Sequence, residues 1–263
     1  MNLDQLAILI VTFRSDKILS DLLFKIQNFN VVIIENSDDE NFRQIITKKF
    51  PNVKCILTSS NIGFGRALNI AFDKFKYKNY LILNPDIRIS EKDILKIYSR
   101  ANSDANIDVI APSTLSENNK LTIRHGLFKL SNKKVSKFKD LIKVDYVSGH
   151  AFLIKKHVID TSGKFDKNFF LNFEEHDLFF RIKKNKFNVF VMKDCFATHY
   201  EGKSADTKFH KEMSLSSKWH YGWGFFFFFN KHYNKFFTYI FSLDYLINSL
   251  IKLCFFHFKK EKF

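Results

Sequence analysis

Asn84-Pro85-Asp86 is a short segment whose residue types could bind a cation. It directly follows the apolar run Tyr80–Leu83. An Asn-Pro pair favours a turn, and an aspartate can stabilise that turn. A carboxylate at the end of a buried strand is also a hard oxygen ligand, suited to Mg²⁺ or Mn²⁺ bound together with a diphosphate. The spacing alone favours the turn, and the cation site is the alternative.

A second segment, 172–177, has the sequence NFEEHD and places three carboxylates within four residues. Asn172 as N-cap with Glu175 three residues later has capping-box spacing, and acidic side chains stabilise the first turn of a helix. Three acids exceed what capping requires, so one is a candidate general base, a role worth roughly 10²–10⁴-fold in rate. In a helix Glu174 and Asp177 share a face and Glu175 points elsewhere, so their roles can differ.

His199, in the segment THYEGKSA, is a third candidate. A single histidine is more often a surface or core residue than a ligand. It becomes a candidate second metal ligand if the fold brings it to Asp86, since neutral imidazole binds divalent metals. His150, which follows Gly149, is a similar but weaker candidate.

Apolar runs in the first half of the chain predict four buried strands. They are Leu6–Phe13, Val31–Glu35, Val53–Leu57 and Tyr80–Leu83. Between Phe64 and Phe75 the apolar residues instead recur at helical spacing. Alternating strands and helices predict βαβ units and a parallel sheet with its ligands at the carboxyl ends of the strands. The polar groups at those ends are therefore candidate ligand contacts, although loops are polar in any case.

The second half is predicted less sharply. Residues 116–140 are polar and rich in lysine, which predicts a mobile loop or insertion. Val144–Ile154 is interpreted as one strand interrupted by the segment 148–150. A helix is predicted from near Asn172 to about Lys184, and a strand over Asn188–Met192.

From about Asp206 the composition changes, which predicts a tail over residues 206–263 after a main domain over residues 1–205. The tail contains a helical apolar stripe, whose members are Ile240, Leu243, Ile247, Leu250, Ile251 and Cys254. Asp244 and Lys252 interrupt it, so we expect a helix lying in a membrane interface rather than a span. The alternative is a helical pair packed on the main domain.

The 263-residue chain has a formal net charge of +15, which suits nucleic acid, an anionic membrane or an anionic small substrate. The first of these is disfavoured because the sequence shows no RRM, OB, zinc or helix-turn-helix signature and its positive charge is spread over the chain. Cys55, Cys195 and Cys254 show no paired spacing, which indicates reduced thiols rather than a disulfide framework. The amino-terminal apolar run is too short for a signal peptide, so we expect no export.

Seven segments together resemble family 2 of the inverting nucleotide-sugar glycosyltransferases, most closely a bacterial rhamnosyltransferase-like branch. The resemblance spans roughly residues 5–205. In chain order the segments are Thr12-Phe13, Glu35-Asn36-Ser37, NIGFGRALNIAF from Asn61, LILNPD, VSGHAFLIKKHVI, GKFDKNFFLNFEEHDLFFRI and HYEGKSA. The resemblance implies a GT-A fold, which is an α/β fold with a Rossmann-like, mostly parallel sheet flanked by helices. Here we expect this fold to be followed by a helical, membrane-associated tail.

By this resemblance Asp86 is the metal-binding carboxylate, with Asn84 in place of the first acid of the family's DxD-type motif, and His199 completes the metal site. Glu175 stands where the family has its catalytic aspartate, so Glu175 is the first choice of base and Glu174 the second, while Asp177 supports the local structure. Thr12, Glu35 and Asn61 are implied to line the nucleotide pocket, and Gly63 and Gly65 to allow close backbone approach. Basic residues on the rim, such as Arg66, Arg124 and Lys203, are candidates for the diphosphate, and the alternative for each is a solvated surface position.

The implied activity is transfer, with inversion, of a sugar from dTDP-rhamnose or a UDP-hexose to a hydroxyl of a glycan or lipid-linked acceptor, with Mg²⁺ or Mn²⁺ as cofactor. Together with the tail, this implies a step of surface polysaccharide or lipopolysaccharide synthesis on the cytoplasmic face of the plasma membrane. The sequence does not indicate an oligomeric state. The alternatives are a catalytically inactive GT-A membrane scaffold and, less favoured, a basic nucleic-acid-binding protein.

Overall fold

The computed structural model describes residues 2–13, 15–118, 121–122, 139–200 and 210–260. Most of the predicted loop 116–140 and the predicted boundary between residues 205 and 206 lie outside these ranges, as do Arg124 and Lys203. The strands are β1 (Leu6–Thr12), β2 (Asn30–Glu35), β3 (Lys54–Leu57), β4 (Asn79–Leu83), β5 (Ile87–Ile89), β6 (Val109–Ser116), β7 (Leu121–Thr122), β8 (Leu141–Val144), β9 (Ala151–Lys155) and β10 (Val189–His199).

A 3₁₀ turn (Leu3–Gln5) precedes β1. The helices are α1 (Asp16–Ile26), α2 (Glu40–Lys49), α3 (Phe64–Lys74), α4 (Glu91–Ser103), α5 (Lys156–Ser162), α6 (Glu174–Lys184), α7 (His210–His232) and α8 (Lys235–Lys260). The four strands predicted in the first half, and the helix that begins at Phe64, are confirmed with bounds within one residue.

A single sheet runs in the order β3-β2-β1-β4-β9-β6-β10-β5, with β7 on β6 and β8 on β10. The neighbours from β3 to β4 are parallel. In contrast, β9 is antiparallel to both β4 and β6, and β10 is antiparallel to β5 and β8. The sheet is therefore mixed, and the prediction of a mostly parallel sheet is wrong for its second half. Apolar runs indicate burial, and burial does not specify the direction of a strand.

Helices cover both faces of the sheet, and β1 shows the reason for its continuous apolar run. Because successive side chains of a strand point to opposite faces, Leu6, Ile8 and Ile10 pack in one core with α1, α2 and α4. The alternate residues of β1 pack in a second core with α3, α5 and α6. All seven residues of β1 are buried, as expected for a strand covered on both sides.

Two predictions in the second half need correction. The segment 144–154 is not one interrupted strand, because β8 ends at Val144 and pairs with β10, whereas β9 begins at Ala151 and pairs with β4 and β6. The strand predicted to end at Met192 continues to His199 through an irregularity between Met192 and Phe196. Such a bulge bends a strand, and here it lets the strand reach β5.

Over residues 210–260, the described part of the tail, there are two helices with different environments. Phe228 and Phe229 of α7 pack with Phe169 and Phe173 of the main domain in a third apolar cluster. The alternative of helices packed on the domain is thus realised by α7. By contrast, α8 keeps large apolar side chains exposed, Phe236 at 68% and Leu243 at 57%. None of the helices in the described part of the chain combines the length and apolarity that crossing a bilayer requires.

Candidate active site

The carboxyl ends of β1 and β2 form one wall of a cleft. Thr12 and Glu35 are level with each other in the parallel register. Thr12 Oγ1 donates a hydrogen bond of 2.6 Å to Glu35 Oε2, and Ser37 Oγ donates one of 2.7 Å to Glu35 Oε1. The buried Glu35 carboxylate therefore orients two hydroxyl groups at the end of the sheet.

The cleft lies between these strand ends and the loop that precedes α6. Its volume is about 170 Å³, below the roughly 300–1,000 Å³ typical of small-molecule sites, and the cleft is open to solvent. The lining residues are Val11, Thr12, Phe13, Ser15, Asn36, Asn61, Gly63, Phe64, Asn84, Pro85, Phe170 and Leu171. Thr12, Asn61, Gly63 and Asn84, all candidates from the sequence, are thus brought together.

Asn36 and Asn61 shape the floor of this cleft through the backbone of Gly63. Asn36 Nδ2 donates to the Gly63 carbonyl at 3.3 Å, and Asn61 Oδ1 accepts from the Gly63 amide at 3.0 Å. Gly63 has a φ of 88°, and a Cβ there would lie 3.0 Å from the carbonyl carbon of Phe170. The close approach that this glycine permits is therefore to the loop before α6. From the sequence, Asn36 was named only within the segment Glu35-Asn36-Ser37 and had no role of its own.

Arg66 and Gly65 also face that loop. Arg66 Nε donates to the carbonyl of Lys167 at 2.6 Å, and a Cβ on Gly65 would lie 2.8 Å from Phe165 Cβ. Neither residue is among those that line the cleft. A contact of Arg66 with a diphosphate stays a prediction.

Asp86 and His199 meet at the end of the sheet, as the metal-site hypothesis requires. Because β10 is antiparallel to β5, His199 lies opposite Ile87, and the Tyr200 amide donates to the Asp86 carbonyl at 3.1 Å. His199 Nε2 lies 3.4 Å from Asp86 Oδ1. The turn before β5 is closed by a hydrogen bond of 3.2 Å from the Ile87 amide to the Asn84 carbonyl. One turn thus aims the carboxylate at the histidine.

The Asp86 carboxylate has the properties of a cation ligand. It is 3% exposed, and no donor in the described part of the chain makes a hydrogen bond to Oδ1. A buried carboxylate oxygen without such a bond is costly, and a divalent cation would satisfy it. No group of three His, Cys, Asp or Glu side chains that could hold a metal occurs among the described residues. Two protein ligands nevertheless fit Mg²⁺, which usually keeps several waters and binds substrate phosphates.

His150 supports His199 from behind. The two rings stack with centroids 4.5 Å apart, and His150 Nε2 lies 2.7 Å from Thr114 Oγ1. The carbonyl of His150 accepts a hydrogen bond of 2.8 Å from the Asn84 amide. His150 therefore joins the start of β9 to both parts of the Asp86 site.

Helix α6 does not begin with the expected capping box. Its N-cap is Phe173, which makes no side-chain cap hydrogen bond. Asn172 Nδ2 instead donates to the Ser217 carbonyl and hydroxyl of α7, at 3.1 and 3.2 Å. Asn172 and Phe173 both have a φ of 68°, a conformation that costs non-glycine residues roughly 1–3 kcal/mol each. The capping-box prediction is wrong because a tertiary contact with α7 takes the Asn172 side chain.

Glu174 and Glu175 occupy different environments. Glu174 is buried, and no hydrogen bond reaches its Oε2 within the described residues. Burial, followed by the charge of Glu175, raises the pKa of Glu174 well above its usual value. Glu175 is half-buried and packs on Gly149, so closely that a Cβ there would lie 2.8 Å from Glu175 Cγ and Cδ. Glu175 thus contacts the residue that precedes His150, whose ring stacks on His199.

Asp177 is fully buried within a cluster of cations. Arg181 Nε and Nη2 donate to its Oδ2 at 2.9 and 2.8 Å, while Lys231 Nζ and His232 Nε2 lie 2.6 and 2.7 Å from Oδ1. Burial alone would raise the pKa of Asp177, but the hydrogen bond from His232 and the charges of Arg181 and Lys231 lower it to about 2. The supporting role predicted for Asp177 stays a prediction, which these contacts favour. Lys231 and His232 were missed, since nothing in their spacing points to a partner more than fifty residues away.

Solved structures with this architecture define the class of fold. GalNAc-T7 with UDP, GalNAc and Mn²⁺ superposes with a TM-score of 0.61 at 13% identity, over 75% of this chain and 44% of that one. Residues 1–349 of S. aureus TarS give 0.58 at 16% identity, over 84% and 65%. Mannosyltransferase PcManGT from Pyrobaculum calidifontis, in complex with GDP-Man and Mn²⁺, gives 0.58 at 10% identity, over 84% and 63%. The chain therefore has a GT-A-like α/β fold.

The sequence specifies the family within that class. Residues 8–163 match Glycosyl transferase family 2, so the chain belongs to this family. Among curated proteins, the low-salt glycan biosynthesis hexosyltransferase Agl10 of Haloferax volcanii is 26% identical over 200 residues. That match covers 71% of this chain and 64% of the relative, so this chain spans somewhat less than two thirds of the relative's length.

Proposed function

We propose that the protein transfers a sugar, with inversion, from a nucleoside-diphosphate sugar to a hydroxyl group of a glycan or lipid-linked acceptor. One observation carries the proposal. The buried Asp86 carboxylate, whose Oδ1 accepts no hydrogen bond from the described residues, faces His199 beside a cleft, and the half-buried Glu175 packs on the loop that supports His199. Family membership supports the reaction class. The relative named a hexosyltransferase and the neighbours solved with UDP or GDP-Man support the donor class.

The cleft residues supply the donor site in this proposal. Thr12, Asn36 and Asn61 offer a hydroxyl and two amides to the nucleoside, with Glu35 fixing the orientation of Thr12. Asp86 and His199 would hold Mg²⁺ or Mn²⁺, which when bound neutralises charge on the leaving diphosphate. The basic balance of the chain, +15, also favours an anionic donor.

Glu175 serves as general base. Its carboxylate takes the proton of the acceptor hydroxyl, and the oxygen attacks the anomeric carbon of the donor. The bond from that carbon to the diphosphate breaks on the opposite face, so the configuration inverts and the nucleoside diphosphate leaves. Glu174 suits this step less well, because its raised pKa favours the protonated form, which cannot accept a proton.

The donors proposed are dTDP-rhamnose and UDP-hexoses. The rhamnosyltransferase-like segments support the first, and the relative named for hexosyl transfer in glycan biosynthesis supports the second. We place the reaction in the assembly of a surface polysaccharide or lipopolysaccharide. The unit that carries it is residues 1–205, and residues 206–263 form the tail.

The tail supports a location on the inner face of the plasma membrane, with the protein cytoplasmic and peripherally bound. Eight exposed apolar side chains of α8 span an arc of roughly 140° and a length of roughly 22 Å when placed at helical spacing. They are Phe236, Tyr239, Ile240, Leu243, Leu246, Ile247, Leu250 and Ile251. Phe237 and Phe241 are also exposed but lie beside this arc, and Phe241 contacts Phe229 of α7. An apolar face of this size suits an interfacial helix. The lysines in the sequence after Ile251 favour anionic lipid.

A thermal-shift screen tests the proposed function. The purified protein is heated with dTDP, UDP, GDP or CDP, each with Mn²⁺, Mg²⁺ or EDTA. A nucleotide at 100 times its dissociation constant stabilises the native state by about 2.7 kcal/mol, which raises the midpoint by roughly 5–10 °C for a chain of this size. We expect one nucleotide to do so only with metal, and Asp86→Asn to abolish the effect. The matched control is Asp73→Asn, at an exposed ion pair with Lys164, which leaves it unchanged.

The screen also separates the alternatives. If none of the nucleotides changes the thermal midpoint with either metal, the proposed function is refuted and the inactive scaffold is favoured. Steeply salt-dependent binding to random DNA at low micromolar concentration would favour the nucleic-acid-binding alternative. We expect no such binding.

A further inference from the structure

The end of α7 is tied to the helix that carries Glu174 and Glu175. Lys231 Nζ lies 2.6 Å from Asp177 Oδ1 and also 2.6 Å from Asp166 Oδ2, and His232 Nε2 lies 2.7 Å from Asp177 Oδ1. The Asp177 side chain is fully buried and that of His232 is 6% exposed. We call this group of Asp166, Asp177, Lys231 and His232 the tail clamp.

The tail clamp is more than charge compensation for a buried aspartate. Arg181, one turn along α6, already donates to Asp177 Oδ2 and, with its other guanidinium atoms, to the backbone carbonyls at the end of α5. Lys231 and His232 add two further groups at Oδ1, from a helix 54 and 55 residues away in sequence. Holding three basic side chains around one buried carboxylate costs desolvation, so the extra pair needs another explanation.

The first turn of α6 needs an external support. It follows two left-handed residues and has no side-chain cap. Helix α7 supports it at both ends of their contact. At one end Ser217 holds Asn172, and Gly224 lets the α7 backbone approach, since a Cβ there would lie 3.0 Å from the Asn172 carbonyl oxygen. At the other end the tail clamp holds Asp177, three residues after Glu174 and two after Glu175.

We propose that Lys231 and His232 are positioning residues for the transfer reaction. By fixing Asp177, they hold the first turn of α6 at the height that keeps the Glu175 carboxylate against Gly149, beside the Asp86 site. Neither residue touches a substrate in this mechanism. The inference rests on the proposed function, and it assigns the tail a part in catalysis that is separate from any membrane contact of α8.

The test uses the full chain and the variants Lys231→Met and Lys231→Arg. Lys231→Met leaves Arg181 and His232 on Asp177, so the buried carboxylate keeps partners and the chain keeps its fold. The matched control is Lys183→Met. Lys183 belongs to the last turn of α6, the helix that carries Asp177. Its ion pair of 2.8 Å is with the mostly buried carboxylate of Asp145, which is not part of the tail. His232→Gln is a second variant that removes the ring but retains an amide donor.

Two measurements are made on each variant. Hydrogen exchange reports the opening of the first turn of α6 and needs no substrate. Steady-state hydrolysis of UDP-glucose or dTDP-rhamnose, in which water takes the place of the acceptor, gives kcat and the donor KM. We expect Lys231→Met to speed exchange over residues 174–180 and to lower kcat about 10- to 100-fold, the cost typical of a catalytic group displaced by about 1 Å. In Lys231→Met the donor KM and the metal-dependent rise of the midpoint with nucleotide stay within twofold of wild type. Lys231→Arg recovers most of kcat. Lys183→Met changes neither the exchange rate nor kcat.

Three results would overturn the inference. Unchanged exchange in Lys231→Met and His232→Gln would show that the tail clamp does not hold the turn. Faster exchange with unchanged kcat would show that it is structural only. Equal losses in Lys183→Met would assign the effect to α6 ion pairs in general. Failure of the proposed function gives a different pattern, in which wild-type protein neither binds nor hydrolyses a nucleotide sugar whatever the exchange shows.

Discussion

The contact between Gly149 and Glu175 leads to a specific prediction about the base. A Cβ built on Gly149 lies 2.8 Å from Glu175 Cγ and Cδ and closer still to Oε1. Ordinary contact between carbon atoms is about 3.5–4.0 Å, so Gly149→Ala must push the Glu175 carboxylate aside by roughly 1 Å. Because the obstacle is the end of a side chain, the carboxylate can move while the fold is retained.

The magnitude follows from the displacement. A misplacement of about 1 Å in a catalytic group can cost about 10²-fold in rate, or about 2.7 kcal/mol of transition-state stabilisation. We therefore expect Gly149→Ala to lower kcat for donor hydrolysis by about two orders of magnitude, with the donor KM and the thermal midpoint close to wild type. Ser148→Ala, on the same loop, adds no atom toward Glu175 and serves as the control.

A second substitution turns this into a double-mutant cycle. The family resemblance places an aspartate where this chain has Glu175, and an aspartate is shorter by one methylene. In the Glu175→Asp background the added methyl of Gly149→Ala meets a smaller side chain, so we expect it to cost less than 10-fold. Residues in direct contact should be non-additive in this way. Wild-type turnover in Gly149→Ala, or an equal loss in both backgrounds, would refute the position assigned to the base.

The remaining predictions concern stability and the tail. The pKa of Asp177, lowered to about 2, lies below its unfolded value of about 3.9, so its contribution is present above about pH 4 and is lost as pH falls toward 2. In urea unfolding, the free energy of unfolding should fall by roughly 2–3 kcal/mol more in wild type than in Asp177→Asn as the pH is lowered from 6 to 2. Parallel plots of this free energy against pH for the two proteins would contradict the prediction. Phe228→Ala removes a fully buried ring between α7 and the main domain, so it should lower the free energy of unfolding by about 3–5 kcal/mol, measured as a lower urea midpoint. Phe236→Ala, at an exposed position, should leave the midpoint nearly unchanged. Ile247→Asp, in the middle of the exposed α8 stripe, should abolish co-sedimentation with phosphatidylglycerol vesicles without lowering the urea midpoint. Asn248→Asp adds the same charge beside the stripe and should retain most of the co-sedimentation. Equal binding by both variants would show that the stripe does not contact lipid.

The first half of the fold and much of the candidate site were predictable from local sequence. The strands β1, β2 and β4 are buried on both faces, so each appears as a continuous apolar run with clear ends. The edge strand β3 is only partly buried, although its sequence is also mostly apolar. Parallel strands bring their carboxyl ends to one edge, which places Thr12 beside Glu35 and near Asn61 without further information. The Asn84-Pro85 turn likewise fixes where Asp86 leaves the sheet.

Other features depended on partners that are distant in sequence. The segment 144–154 has one apolar pattern, but its two parts pair with different strands, a choice made by the packing of the whole sheet. The helix at 174 begins without its expected cap because Asn172 finds Ser217, 45 residues later.

By itself, the sequence determined which residues are buried, where the polar ends of the strands fall, and which side chains are chemically able to bind a cation or accept a proton. Only the tertiary structure decided which of them meet. It brought His199 to Asp86 through the bulge in β10, separated the buried Glu174 from the more accessible Glu175, and placed Lys231 and His232 on Asp177. The physical reason is that burial and turns are set by neighbours along the chain, whereas contacts between side chains depend on the packing of elements that the local pattern does not describe.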